Sequence, residues 1–210
     1  MKINSVRRLT ITALLTGLGI VIPMVMPKLV IGPASFTLAS HVPLMIAMFF
    51  SPAMAVAVAL GTALGFLLTG LPLIITLRAL SHIVFAFIGV YYLQKHPGIV
   101  LKNGQFTLLN GRFQLFSLVI ALIHSVVEVL VVMAFNFIGN VPASSYEVGA
   151  FYFFFVLMGV GGVIHSIIDY NIAFFVAGTL QKQFEIPVFA QAKKAYRQQS
   201  QSLQGNEKLA

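Results

Sequence analysis

The chain contains no cysteine, and charged side chains are scarce. Because cysteine is absent from its 210 residues, disulfide bonds, thiolate metal ligands and cysteine nucleophiles are excluded. Only 9% of the residues are charged and 59% are hydrophobic, whereas soluble domains carry roughly 25% charged residues. So few charges cannot cover the surface of a soluble protein of this size. The composition therefore predicts an integral membrane protein.

Motifs for enzymatic chemistry are also missing. The sequence has no G-x-x-x-x-G-K-[ST] phosphate loop, no H-E-x-x-H motif and no G-x-S-x-G motif. Its five histidines lack the spacing of a metal site with an open coordination position. We therefore expect neither an enzyme nor a metal site, and no cofactor in this chain. The basic residues lie between apolar runs, which speaks against a nucleic-acid partner.

Apolar runs separated by Pro, Gly and charged residues predict six transmembrane helices, each needing roughly 20 apolar residues. The predicted fold class is an all-α integral membrane protein, with a single six-helix domain over residues 1–182. The remaining residues, 183–210, are expected to form a polar cytoplasmic tail, disordered from residue 191. The predicted spans are residues 9–26, 35–50, 53–69, 73–93, 113–138 and 150–180.

The distribution of Lys and Arg predicts the orientation in the membrane. With six spans, both termini lie on one side, and that side carries all but two of the thirteen basic residues. The two exceptions are Lys28, on the opposite side, and Arg78, inside the fourth span. Because cytoplasmic loops carry an excess of Lys and Arg, we expect both termini in the cytoplasm of a bacterial cell, with the protein in the plasma membrane.

Ionisable side chains inside the predicted spans indicate the functional site, because each one costs a few kcal/mol at membrane depth. Arg78 and His82 lie one turn apart on the fourth span and predict a polar pocket that opens to the outside. An internal salt bridge between Arg78 and Glu128 is an equally supported interpretation. The predicted substrate-binding residues are Ser40, His41, Arg78, His82, Glu128, Asn136 and Asn140.

The fifth and sixth spans share the pattern His-Ser-apolar-apolar-acid. It runs from His124 to Glu128 and from His165 to Asp169, so each acid lies four residues after a histidine and on the same helix face. We expect Asp169 to hold helices together through His165 or Asn171. The segment before the second span, residues 27–41, mixes apolar and hydroxyl residues and is expected to be an outer connector or a lid.

Two predicted spans carry small residues at i+4 spacing, which lets helices approach closely. They are Ala53, Ala57, Gly61 and Gly65 in the third span, and Ala13 and Gly17 in the first. For the third span, packing within the bundle is favoured over contact with another subunit. For the first span the two interpretations are equally supported. The candidate contacts with a partner subunit are Ala13, Gly17, Ala57 and Gly61.

Three short stretches carry a family resemblance. They are Ala13-Leu-Leu-Thr-Gly17, the run Val-Ile-Gly-Pro-Ala-Ser-Phe-Thr at 30–37, and Leu-Arg78-Ala-Leu-Ser-His82. With them, residues 5–182 resemble the substrate-binding S-components of energy-coupling factor (ECF) vitamin transporters. The resemblance implies a transmembrane coupling subunit and two ATPase subunits as partners, which use ATP to drive uptake. It also implies that Ala13 and Gly17 contact the coupling subunit, with glycine replacing the second alanine of the family's A-x-x-x-A motif.

Within that family, overall likeness favours the pantothenate-specific branch. Arg78 could bind the carboxylate of pantothenate through two parallel hydrogen bonds. Hydroxyl and amide groups of the vitamin could bind His82, Glu128, Asn136 and Asn140. Niacin is also a carboxylate and fits the same argument, and folate and pyridoxine-type vitamins are further alternatives. Outside the family, a stand-alone proton-coupled carrier or a structural subunit remains possible.

Overall fold

Local signals fix where the helices begin. The side chain of Asn4 accepts a hydrogen bond from Arg7 N and caps the first helix, and Ser51 does the same for Met54 N before a helix that starts with proline. The computed structural model describes residues 4–31, 34–139 and 149–207. Its elements are α1 (Ser5–Val25), β1 (Lys28–Ile31), β2 (Ala34–Thr37), α2 (Val42–Met48), α3 (Pro52–Leu68), α4 (Leu73–Lys95), a 3-10 turn (Pro97–Val100), α5 (Gly111–Phe137), a π-helical segment (Tyr152–Val160), α6 (Gly161–Leu180) and α7 (Pro187–Glu207).

Helices dominate the described residues, as expected for an all-α membrane protein. Four of them are long and apolar enough to cross a membrane: α1, α4, α5, and the π-helical segment continued by α6. The apolar helix α3 is shorter, at 17 residues. The six-span count and the cytoplasmic placement of the termini stay predictions, because length and composition alone identify these four spans.

The predicted second span, residues 35–50, is not helical along its length. Its first part is strand β2, which pairs antiparallel with β1, and only Val42–Met48 is helical. All seven residues of α2 are buried, so the apolar run is covered by protein. Irregular backbone at membrane depth is tolerated when it is buried in this way. An apolar run of this length is compatible with a regular helix and with a buried strand followed by a short helix. This ambiguity explains why residues 35–50 were predicted as one helix.

The small residues of α3 pack against α1. A Cβ atom at Gly61 would meet Thr16, and one at Gly65 would meet Ile20. In return, Gly19 of α1 lies against Thr62 of α3. Helices in lipid associate through van der Waals packing, which requires close approach of their backbones. Glycine allows this approach because it has no side chain. The α3 ladder therefore serves packing within the bundle at Gly61 and Gly65.

An aromatic core closes the end of the bundle away from the β-hairpin. Its centre is Phe113 of α5, whose ring stacks on Phe174 of α6 with 3.6 Å between ring centroids. Phe49 and Phe189 pack around this pair. Arg7, in the first turn of α1, lies over the ring of Phe184, which follows α6. The start of α1 and the segment after α6 therefore meet at the same end.

The C-terminal tail corrects a second expectation. Of the residues predicted to be disordered, 191–210, those at 191–207 belong to helix α7, Pro187–Glu207, and 208–210 lie outside the described residues. Val188, Phe189 and Ala192 are buried, and Val188 N donates a hydrogen bond to the carbonyl of Phe49 just after α2. A few apolar residues on one helix face are enough to dock the first turns, although the later turns are polar and exposed.

The α1–α3 contact yields a stability prediction. Gly65→Leu places a side chain where Ile20 already lies, so we expect a loss of about 1–3 kcal/mol in the free energy of unfolding. Thermal unfolding of the purified protein in detergent measures it. The matched control is Gly17→Leu, because a Cβ there meets nothing within 4 Å. Equal melting temperatures for the two variants would contradict the packing.

Candidate functional site

A small cavity lies between the helices, below the turn that follows β2. Its volume is about 90 Å³. One part of its wall is apolar and is formed by Pro23, Phe66, Ile75 and Ala79. The rest is polar and contains an arginine, three histidines, a carboxylate and three hydroxyl residues. The cavity thus combines an apolar wall with convergent polar groups, as small-molecule sites do.

Arg78 and Glu128 form the charged part of the cavity. Arg78 Nε donates to Glu128 Oε1 at 3.2 Å, and its Nη2 donates to Oε2 at 3.3 Å. The Glu128 side chain is 4% exposed and that of Arg78 is 17% exposed, so the pair is buried but the guanidinium reaches the cavity. His82 Nε2 lies 3.1 Å from Glu128 Oε1. The carboxylate therefore joins α4 to α5 through two side chains one turn apart.

Histidines gather around this pair from separate parts of the chain. The ring of His41 lies 4.7 Å from that of His82, 4.6 Å from that of His124 and 5.0 Å from that of His165, between centroids. His124 Nδ1 lies 3.2 Å from Ser166 Oγ. Four of the five histidines in the sequence therefore share one site, although their positions in the sequence are far apart.

Asp169 holds the turn that carries His41. Its carboxylate accepts hydrogen bonds from Ala39 N at 2.8 Å and His41 N at 2.9 Å, and it lies 3.1 Å from His41 Nδ1. Ala39 has a φ of 66°, a left-handed conformation that non-glycine residues adopt only when the surroundings fix it. The predicted helix contact with Asn171 is wrong, because Asn171 bonds to Gln114 instead. His165 Nε2 lies 3.5 Å from Asp169.

Five of the seven predicted substrate-binding residues line the cavity, namely Ser40, His41, Arg78, His82 and Glu128. Ser40 Oγ lies 3.2 Å from His165 Nε2 and joins the turn to α6. Asn136 lies two turns further along α5 and is not part of the cavity lining. Asn140 lies outside the described residues.

Sequence reasoning missed several cavity residues. Thr62 and Thr37 line the cavity, and Thr62 Oγ1 is buried with no hydrogen-bond partner among the described residues. A hydroxyl residue inside an apolar span was the available signal for Thr62. Pro23, inside α1, and Phe66 carry no such signal, because apolar residues are expected throughout a membrane helix.

The candidate subunit contacts divide into two groups. Ala13 and Gly17 are exposed on α1, and Ala57 is exposed on α3. Gly61 is half-buried against Thr16 of α1. Within the described chain, the small-residue face of α1 is therefore accessible, whereas Gly61 is already used by an intramolecular contact.

The π-helical segment borders the site on the α6 side. In a π-helix, hydrogen bonds skip one residue more than in an α-helix, and such segments are frequent at functional sites. Ser125 Oγ of α5 donates to the carbonyls of Gly159, at 2.7 Å, and Met158, at 3.3 Å. Phe36 of β2 packs against Gly161 at the junction with α6. The hairpin is thus fixed directly beside the irregular part of the helix.

The fold and the site define a class: a multi-pass cell-membrane protein with a small polar cavity between its helices. Comparison with known proteins makes the class specific. The chain is 46% identical over 193 residues to the niacin transporter NiaX of Lactococcus lactis subsp. cremoris (strain MG1363), covering 91% of this chain and 82% of the relative. No protein-family model matches the chain, and no solved structure matches it.

The chain belongs to the family of membrane transporters that includes NiaX. It is therefore a transport protein and not an enzyme, as expected from the missing catalytic motifs. The similarity supports the predicted class of ECF vitamin S-components. It does not support the pantothenate branch, since niacin is the vitamin named for the relative.

The buried ion pair can be tested by a double-mutant cycle with Arg78→Gln and Glu128→Gln. Each single change leaves one buried charge without its partner, so we expect each to cost about 3–5 kcal/mol of stability. The double variant is expected to lose less than the sum, with a coupling energy of about 0.5–3 kcal/mol. Unfolding in detergent gives the four stabilities, with Arg112→Gln as an exposed control. Additive losses would show that the two side chains do not interact.

Proposed function

We propose that the chain is the nicotinate-binding S-component of an ECF-type transporter. It captures niacin as the nicotinate anion from outside the cell and delivers it to a coupling module. The observation that carries the proposal is the guanidinium of Arg78 at the wall of a small cavity. The niacin transporter that is 46% identical supports the choice of vitamin.

Arg78 can bind a ligand carboxylate without giving up its bond to Glu128. A guanidinium has five N–H donors, and Glu128 receives bonds from two nitrogens, Nε and Nη2. The remaining donors are available for the carboxylate of nicotinate, with which charge-assisted hydrogen bonds form. The internal salt bridge and the substrate contact are therefore compatible roles of one side chain.

The size of the cavity favours nicotinate over pantothenate and folate, and the cation of Arg78 favours it over pyridoxine, which has no carboxylate. Its volume of about 90 Å³ is well below the roughly 300–1,000 Å³ of pockets for drug-sized ligands. Nicotinate is one aromatic ring with one carboxylate, whereas pantothenate is an extended chain and folate has several joined ring systems. The smallest of these carboxylates is the one that fits with the least rearrangement.

The remaining walls suit a pyridine ring. Phe66, Ile75 and Pro23 offer an apolar surface for its faces. The pyridine nitrogen accepts one hydrogen bond, and the unpartnered hydroxyl of Thr62 is a donor on the same cavity wall. We therefore assign Thr62 to the ring nitrogen of nicotinate and Arg78 to its carboxylate.

The ligand preference of the wild-type protein tests the proposal directly. In calorimetry with purified protein, we expect nicotinate to bind at least a hundredfold more tightly than nicotinamide, which lacks the negative charge that Arg78 recognises. That ratio corresponds to about 2.7 kcal/mol. Pantothenate, folate and pyridoxine are expected to show no saturation. Tight binding of pantothenate and none of nicotinate would overturn the proposal.

Arginine variants test the residue assignment. Arg78→Ala is expected to weaken nicotinate binding at least a hundredfold, and Arg78→Lys less, because lysine keeps the charge but not the fork geometry. Arg112→Ala, at an exposed arginine outside the cavity, is the control. Melting curves distinguish lost binding from lost folding. Unchanged affinity in a folded Arg78→Ala protein would contradict the assignment.

We further propose that the cavity faces the outside and that α1 meets the coupling subunit. The hairpin end, next to the cavity, holds Lys28. At the other end, Lys95 is the last residue of α4, Lys102 lies between α4 and α5, and Arg112 is in the first turn of α5. An excess of basic residues favours the cytoplasmic side for that other end. Ala13 and Gly17 are exposed on α1 and present a smooth face for another helix. The ATPase partners would supply the energy, since this chain has no phosphate loop.

Gly17→Leu separates coupling from binding. A side chain at Gly17 meets nothing within this chain, so nicotinate affinity is expected to stay unchanged. Close approach of a partner helix would be blocked, so ATP-dependent uptake with the co-expressed coupling module is expected to fall by at least tenfold. Leu14→Ala, at an exposed residue that is already large, is the control. Full uptake by Gly17→Leu would place the coupling contact elsewhere.

A further inference from the structure

A cluster of four potential metal ligands adjoins the cavity, and three of them line it. His41, His82, His124 and Glu128 each offer one ligand atom, and these atoms all lie within 4.8 Å of one another. They come from the turn before α2, from α4 and from α5, so no sequence motif announces them. Three imidazoles and one carboxylate are a donor set typical of Zn²⁺ and related transition metals.

One histidine in this cluster, His124, has a ring nitrogen without a hydrogen-bond partner among the described residues. His124 is 2% exposed, and its Nε2 is buried without a hydrogen-bond partner among the described residues. Buried polar atoms are normally satisfied, and an unsatisfied one costs about 1–3 kcal/mol. Glu128 Oε1 lies 3.6 Å from this nitrogen, beyond hydrogen-bond range. A metal ion bound to both atoms would give the nitrogen the partner that it lacks.

Outer partners hold two of the histidines in orientations that suit a metal. The Nδ1 atom of His41 lies 3.1 Å from Asp169 Oδ2, and that of His124 lies 3.2 Å from Ser166 Oγ. Both rings therefore keep Nε2 as the free ligand atom. Hydrogen bonds of this kind to a carboxylate or hydroxyl orient metal-binding histidines and raise their basicity.

From this arrangement we propose that His41, His82, His124 and Glu128 bind a divalent transition-metal ion, with Zn²⁺ as the fitting example. At a metal–ligand distance of about 2.0–2.2 Å, tetrahedral ligand atoms lie roughly 3.3–3.5 Å apart. The distances from Glu128 Oε1 to His82 Nε2, 3.1 Å, and to His124 Nε2, 3.6 Å, already approach this spacing. The wider contacts close by small rotations of the rings.

A second triad, His41, His165 and Asp169, is also within 4.8 Å but is the weaker site. Both oxygens of Asp169 accept backbone N–H groups that fix the turn, from Ala39 and His41, whereas the partners of Glu128 are side chains that can rotate, those of Arg78 and His82. A metal there would compete with the bonds that hold the turn. The site around His124 has four ligands and an unsatisfied nitrogen, so it is the one that we assign.

The charge balance links the metal to an anionic ligand. With a divalent ion, the charges of Arg78, Glu128 and Asp169 leave the site with one excess positive charge, which a monocarboxylate neutralises. This consequence rests on the proposed function, whereas metal binding itself does not. Nicotinate affinity is therefore expected to rise when the metal is bound.

The test uses the full chain without a histidine tag, purified in detergent and treated with a chelator. Titration with Zn²⁺ alone, followed by mass spectrometry of the metal content, is expected to give about one ion per chain. His124→Ala and Ser166→Ala are expected to lower the affinity for Zn²⁺, the latter by about 10–100-fold as an outer partner. His96→Ala, at the exposed fifth histidine, is the matched control.

Titration with Co²⁺ alone gives an independent readout, because four-coordinate nitrogen and oxygen ligation produces strong visible absorption bands. These bands are expected in the wild-type and His96→Ala proteins and are expected to be lost in His124→Ala. No stoichiometric metal, or equal losses in His96→Ala and His124→Ala, would overturn the metal site. Nicotinate binding measured without metal tests the proposed function separately, so the two failures are distinguishable.

Discussion

The carboxylate of Asp169 holds the turn between β2 and α2, and the cavity depends on that turn. Asp169 is fully buried and accepts hydrogen bonds from two backbone N–H groups. In lipid no water can replace these bonds, so each is needed to bury an irregular stretch of chain. They keep Ala39 in its left-handed conformation and direct Ser40 and His41 into the cavity. Without Asp169 the segment from β2 to α2 would have no fixed path among the helices.

His41 connects this structural carboxylate to the second buried carboxylate, Glu128. On one side it touches Asp169, and on the other its ring packs against His82 and His124, which surround Glu128. The polar residues therefore form one continuous network from α6 through the turn to α5 and α4. Networks of this kind fix geometry strongly, because every member loses a partner if one moves. A displacement of Glu128 would therefore disturb His41 and the turn that carries it.

Sequence patterns predicted the parts of this protein that depend on local periodicity. The long apolar runs give α1, α4 and α5, and the i+4 spacing of Arg78 and His82 places both on the cavity side of α4. The spacing of residues along the sequence does not predict which helices contact each other. The approach of His41 to His124, residues that are far apart in the chain, follows only from the packing of α2 among the longer helices. The same limit explains why the bonds of Asp169 to the turn before α2 were missed, although its predicted partner His165 does lie 3.5 Å away.

The buried pair of Arg78 and Glu128 shows why structural and functional interpretations of a membrane charge need not compete. The protein must also be stable without a ligand. A guanidinium without a partner at this depth would destabilise that empty state. Glu128 removes that cost in the empty state by accepting from two nitrogens of the fork. Because it leaves the other donors of the guanidinium unused, a carboxylate ligand, as we propose, would add to the pair and would not have to break it. The ion pair therefore allows a buried arginine to be stable without a ligand and still have donors for an anion.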